Sequence, residues 1–261
     1  MAHFYIADGG DAHWAAGASV SLTGAEAKHA VTVSRVRPGE SLQVGNGAGV
    51  LAHGTVIRAD PAELVLELAS VERIAPRTPR ILLVQALAKG DRDELAVQAA
   101  TELGVDGVLP WSAARSVSRW QGPKVAKGRE RWAAIVREAA KQSVRPWVPE
   151  VGDLTTTKQL GVLAATTRML LLEPTATEPL SGVVTGERHA LAGPAAVERG
   201  DAVPARDIVL VVGPEGGIAP AELEALTRAG ASAVRLGPEV LRTSTAGPAA
   251  IAVLNVALGR W

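Results

Sequence analysis

The sequence predicts an α/β protein in two parts: a small β-barrel over residues 1–72, then an α/β domain with a mainly parallel sheet over residues 73–261. Three observations predict it. The first part carries short alternating segments punctuated by Pro38-Gly39, Asn46-Gly47 and Asp60-Pro61. Beyond residue 80, apolar runs at 81–87, 105–109, 169–172 and 208–212 alternate with helical stretches, the pattern of a parallel sheet covered by helices. Two late strands end in glycine-proline loops, and open α/β sheets bind ligands at the carboxyl ends of their strands.

Taken in order, HFYI at 3–6 is the first strand, and a loop carries the chain to Gly17. Apolar and polar residues alternate at 41–44 and 63–68, as in strands with one buried face. Pro76 and Pro79, among Arg73, Arg77 and Arg80, mark a linker. After the strand at 81–87, a helix at 91–103 opens on Asp91 as its cap and closes at Gly104. A strand at 105–109 follows. Residues 125–144 read as a helix with Trp132, Ile135, Val136 and Ala139 near one side, and Glu138, Gln142 and Arg145 sharing a face at i, i+4 and i+7.

Residues 150–207 contain one clear strand, 169–172, ending in Glu173 and Pro174. Residues 175–206, rich in Ala, Gly, Thr and Pro, form a long excursion in which no chemistry is visible. The run at 208–212 stops at Gly213, Pro214, Glu215, Gly216 and Gly217. A helix starts at Pro220, whose missing N–H costs nothing in a first turn, with Glu222 and Glu224 near the positive end of its dipole, and it stops at Gly230. A short strand at 233–236 runs into Gly237-Pro238, and a helix at 243–258 closes the sequence. Thr243, Ser244 and Thr245 are placed to cap that helix or to bond a ligand, with capping expected of at least one.

Composition narrows the function. With no cysteine, disulfides and thiolate chemistry are excluded. The first residues lack the charged start and long apolar stretch of a signal peptide, and no apolar run approaches the ~18 residues that span a bilayer, so a cytoplasmic protein with no membrane partner is expected. The five histidines are scattered, and no metal is expected. The 27 basic and 27 acidic side chains cancel, but unevenly: residues 1–72 hold 4 Lys/Arg and 8 Asp/Glu, whereas 111–149 hold 9 and 2. That basic stretch interleaves Trp111, Trp120, Trp132 and Trp147 with its cations, a combination suited to phosphate neutralisation and base stacking. Trp132 is read as core, and Trp120, in the loop before the helix, as the stacking candidate.

The pair GPEGG and LGPEVLRTSTA resembles the cofactor-binding half of the bacterial 16S rRNA uridine N3-methyltransferases, members of the knotted SPOUT superfamily. KGDRDELAVQAATELGVDGVLP, ARSV and RWAAIVREAAKQSVRPWVPEV are similar to the same family in the same order, so the resemblance covers nearly the whole chain. The sequence departs from the family pattern at His3, Ala99 and Ser244. The resemblance implies a PUA-like RNA-binding barrel, a trefoil-knotted methyltransferase domain, S-adenosylmethionine as cofactor, a homodimer, and 16S ribosomal RNA or the small ribosomal subunit as partner.

It also implies residues. Leu172, Glu173, Val212, Gly213, Pro214, Glu215, Gly216, Gly217, Leu236, Gly237, Leu241 and Thr245 would hold the cofactor. Arg242 would stabilise the charge that develops on the uracil oxygens as N3 loses its proton. Glu138 and Glu173 are candidate bases, with proton loss to water as the alternative. Arg35, Arg37, Lys89, Arg115, Arg119, Lys124 and Arg145 would contact RNA; for Arg35 and Arg37 the competing reading is a pair of solvated charges at the end of a helix or strand. Two other functions stay open: methylation of another RNA position or a ribose 2′-hydroxyl, and a noncatalytic RNA-binding ribosome-assembly factor.

Overall fold

The computed structural model describes residues 4–7, 13–182 and 206–261, so His3, His189 and most of the 175–206 excursion lie outside the described residues. The chain divides into two compact units. The first combines Met1–Pro76 with Arg137–Val148. It contains β1 (Phe4–Ile6), β2 (Ser19–Thr23), α1 (Gly24–Lys28), a π-helical turn at His29–Val33, β3 (Ser41–Gly45), β4 (Val50–Ala59) and β5 (Glu63–Arg73). Its sheet has the order β1-β3-β4-β5-β2, antiparallel except for β1 beside β3. Register shifts between β4 and β5 at His53/Gly54 and Val56/Arg58 bend the strands, and the sheet curls into a PUA-like half-barrel whose two edge strands stay unpaired with each other. Alternation places Val20, Leu22, Val44, Leu64, Leu66 and Leu68 in its core.

Residues Arg137–Val148 seal this unit with polar contacts. The Lys141 ammonium donates to Glu26 Oε1 at 2.9 Å and to Glu138 Oε1 at 3.0 Å. Burial alone would lower the pKa of Lys141, but the two carboxylates outweigh it and hold the ammonium above its ordinary range. Arg137 Nη2 donates to the Ile6 carbonyl, and Trp147 Nε1 to the Ile74 carbonyl. The helix expected at 125–144 runs Pro123–Gln142, and Val144 takes φ 51, so helical spacing does not extend to Arg145 and the three-residue face is reduced to Glu138 and Gln142.

The second unit, Arg77–Val136 with Pro149–Trp261, is the α/β part. In chain order it adds β6 (Ile81–Ala86), α2 (Arg92–Glu102), β7 (Gly107–Trp111), α3 (Pro123–Gln142, shared with the first unit), β8 (Glu150–Val151), α4 (Thr157–Ala164), β9 (Arg168–Leu172), β10 (Ile208–Val212), α5 (Pro220–Arg228), β11 (Ser232–Val234) and α6 (Thr243–Ala257). The six strands are all parallel in the order β11-β9-β10-β6-β7-β8. Central β10 is buried at every position, which explains its unbroken apolar run.

Three local expectations are corrected. Asp91 occupies the N-cap of α2 but takes φ 58 and makes no side-chain cap bond; Asp93 instead accepts from the Ala88 and Glu94 N–H groups. Arg242, not a hydroxyl residue, is the N-cap of α6, because the Thr243 hydroxyl is turned to other partners. The strand expected at 105–109 lies at Gly107–Trp111, since Val105 still bonds back to Ala100 at the end of α2.

Candidate active site

In sheet order β11, β9 and β10 are neighbours, and their carboxyl ends open into one cavity of about 410 Å³, within the ~300–1,000 Å³ usual for small-molecule sites. Its walls are Leu172, Glu173 and Pro174 at the end of β9, Val212 to Glu215 with Gly217 and Ile218 at the end of β10, and Val234 to Gly237 with Glu239 to Thr243 at the end of β11. Arg92 and Ala246 complete it.

The β10 loop is held by sequence-specific contacts. A Cβ on Gly213 would lie 2.9 Å from Ile218 Cγ1 and 3.1 Å from Ile218 N, so only glycine lets the loop fold back this tightly. Gly217 takes φ +73, and its N–H bonds to the Pro214 carbonyl at 2.8 Å. Glu215 Oε1 accepts from the Lys89 N–H at 3.0 Å and from Arg92 Nη1 at 2.8 Å. Burial pushes this carboxyl up, but its own backbone N–H, that of Lys89 and the Arg92 guanidinium together hold it below the usual carboxylate range. Arg115 lies along Gly216 and donates to its carbonyl at 2.9 Å.

Two buried polar residues tie this loop to the scaffold. The Thr243 hydroxyl donates to the Gly213 carbonyl at 2.9 Å and accepts from Gln85 Nε2 at 2.9 Å, coupling the start of α6, the β10 loop and the end of β6. Glu222, in the first turn of α5, accepts from the Ala114 N–H, the Thr157 hydroxyl and the Ala219 N–H. Both are connections that spacing in the sequence does not reveal, although Gln85 stands out as the one polar residue of the ILLVQA run.

Of the expected cofactor residues, Leu172, Glu173, Val212, Gly213, Pro214, Glu215, Gly217, Leu236, Gly237 and Leu241 line the cavity, and so does Arg242. Gly216 and Thr245 are not in its walls; Thr245 is exposed, with its N–H bonded to the Arg242 carbonyl. Glu138 belongs to the first unit, where it pairs with Lys141. Glu173 Oε1 accepts from the Thr175 N–H and hydroxyl. Arg92, Ile218, Val234, Arg235 and Ala246 are wall residues not anticipated as such.

Among the expected RNA contacts, Lys89, Arg115, Arg119 and Lys124 are exposed on the second unit. Arg35 and Arg37 are exposed on the first unit on either side of buried Val36, with Arg35 at φ 57 just after the π-helical turn. Arg145 is partly buried in the first unit.

No helix among the described residues is long and apolar enough to cross a membrane. A family model described as an RNA methyltransferase domain matches residues 76–255, and one described as an RNA methyltransferase PUA domain matches residues 22–69. The chain is 43% identical over 250 residues to the ribosomal RNA small subunit methyltransferase E of Mycobacterium bovis, covering 94% of this chain and 89% of that protein. It is 33% identical over 239 residues to the protein of the same name from Bacillus subtilis, covering 90% and 89%. A crystal structure of a ribosomal RNA small subunit methyltransferase E from Neisseria gonorrhoeae, bound to S-adenosyl methionine, is similar at TM-score 0.78 and 27% identity over 98% of each chain. A PUA-like half-barrel joined to an all-parallel α/β unit, with a cavity at its strand ends and these likenesses along its length, makes this chain a member of the RNA methyltransferase family.

Proposed function

We propose that this protein transfers the methyl group of S-adenosylmethionine to N3 of a specific uridine in 16S ribosomal RNA within the assembled small subunit, acting as a homodimer in the cytoplasm. The observation that carries this reading is the cavity in which three strand-end loops converge beside an exposed arginine, Arg242. Its walls suit an adenosine recognised through N–H and C=O groups, since Gly213, Gly217 and Gly237 put no side chain between the chain and such a ligand. The bound cofactor supplies an electrophilic methyl group.

This chain's residues supply position and charge. Leu172, Val212, Ile218 and Leu241 give the cavity apolar walls. Glu215, held ionised by Arg92 and the Lys89 N–H, fixes the β10 loop. As the N3 proton leaves to water, negative charge spreads to the flanking uracil oxygens, and the Arg242 guanidinium stabilises it until N3 takes the methyl group. The exposed Arg35 and Arg37 of the half-barrel and Arg115, Arg119 and Lys124 of the α/β unit provide cations for the RNA backbone.

Small and large ribosomal subunits from cells lacking such an enzyme, incubated with purified protein and labelled S-adenosylmethionine, test the substrate. Label is expected in the small-subunit RNA alone. Label confined to large-subunit RNA would overturn the substrate assignment.

A further inference from the structure

A second cavity of about 400 Å³ lies in the α/β unit, and the reaction described above does not use it. Trp120, Trp132, Lys89, Asp93, Ser118 and Arg131 are among its walls. The half-buried Trp120 ring lies flat on α3, because a Cβ at Gly128 would stand 2.4 Å from its Cε2. It meets Trp132 edge-on, with ring centroids 5.4 Å apart at 77°. Trp132 is 1% exposed, and its Nε1 is a buried donor without a hydrogen-bond partner among the described residues. Native interiors seldom leave such a donor unpaired.

The charges around this cavity are largely committed. Arg131 is paired through both its Nε and Nη2 with the two oxygens of Glu94. Asp93 accepts from two backbone N–H groups. An aromatic platform, an unpartnered indole N–H and a lining in which Lys89 and Arg131 face Asp91, Asp93 and Glu94 suit a flat, neutral heterocycle bearing a carbonyl better than they suit a phosphate. The loop between β6 and α2 and the first turn of α2 link the two cavities: Arg92 at the start of α2 faces the first, Lys89 in the loop and Asp93 in α2 face the second, and the Lys89 N–H and the Arg92 guanidinium both bond Glu215.

We infer that this second cavity receives an unstacked, carbonyl-bearing nucleobase of the RNA substrate, next to the target nucleotide, stacked on Trp120 with its carbonyl accepting from Trp132 Nε1–H. The inference rests on the proposed RNA substrate but not on the identity of the methylated atom. It makes Trp120 and Trp132 positioning residues that recognise RNA through a base and not through charge.

Binding of the full chain to fluorescently labelled hexauridylate, compared with an abasic hexamer of equal charge, tests it. The unaltered protein is expected to prefer the base-bearing strand roughly tenfold, since a stacked base is typically worth about that much. Trp120→Ala should bring the ratio close to one, and Trp132→Phe, which keeps the ring but removes the N–H, should lower it about threefold. S-adenosylmethionine affinity measured by calorimetry should stay unchanged in both variants, showing that the unit is folded. Equal binding of the two strands by the unaltered protein, or an undiminished ratio in Trp120→Ala, overturns the inference. Should Trp120→Ala lose cofactor affinity as well, Trp132→Phe decides, and an unchanged ratio there removes the carbonyl contact. Base preference that survives alongside an absence of methyl transfer to ribosomal RNA would instead count against the proposed reaction and leave this cavity standing.

Discussion

Arg242 and Gly213 carry the sharpest claims at the scale of single residues. Arg242 is exposed in the cavity wall and bonds the Thr245 N–H only through its backbone carbonyl, so truncating its side chain leaves the local fold intact. Arg242→Ala is expected to slow single-turnover methylation by about 10²- to 10³-fold, the usual cost of losing one donor to a developing anion, with cofactor affinity nearly unchanged. Unchanged single-turnover rates would remove it from the mechanism. Gly213→Ala acts in the opposite sense: its methyl group meets the Ile218 backbone and side chain, which forces the loop open. It should weaken S-adenosylmethionine binding and cost about 1–3 kcal/mol of stability, read from calorimetry and urea unfolding. The cavity-wall position of Gly213 is legible from the abrupt end of an apolar run, and that of Arg242 from its place beside the second loop.

Among elements, the strand ends were easier to read than the contacts that join them. The run at 208–212 is unmistakable because β10 is covered on both faces and every side chain must be apolar. The helix α4 was missed although Thr156 and Gln159 form a reciprocal capping box, because eight residues of mixed polarity give little periodicity. Sequence offers Thr243 as a helix cap or a ligand contact, yet its hydroxyl bridges β6, the β10 loop and α6 across 158 and 30 residues of sequence. Such long-range pairing leaves no local pattern. Thr243→Val keeps the shape but leaves Gln85, whose Oε1 already has no partner among the described residues, without a partner for one of its amide protons. A loss of about 1–3 kcal/mol is expected, with weakened cofactor binding, and Thr243→Ser should restore most of both. Equal urea midpoints for Thr243→Val and the unaltered protein would show that the bridge is not structural.

Over the whole molecule, the two-part architecture was legible, but the assignment of α3 was not. Its amphipathic face marks Trp132 and Val136 as core, whereas its C-terminal end, from Arg137 to Gln142, belongs to the first unit through Lys141 and Glu26. Charge residues at helical spacing look alike in sequence whether solvated or buried, so this division emerges only from the fold. Lys141→Ala leaves Glu26, whose Oε2 already has no partner among the described residues, with only the longer Arg137 Nη2 contact at 3.7 Å, and should destabilise the first unit by about 1–3 kcal/mol. The raised pKa of Lys141 means this stabilisation is present throughout neutral pH and fades only as pH rises through its folded value. Pairing Lys141→Met with Glu26→Leu should recover most of the loss in thermal unfolding.

The most direct test of the account is the identity of the methylated nucleoside. Small subunits from cells lacking this activity, treated with the protein and S-adenosylmethionine, digested and separated by mass and retention, are predicted to yield 3-methyluridine. A different methylated nucleoside, or a ribose-methylated one, would contradict the assignment of N3 as the nucleophile and with it the role given to Arg242.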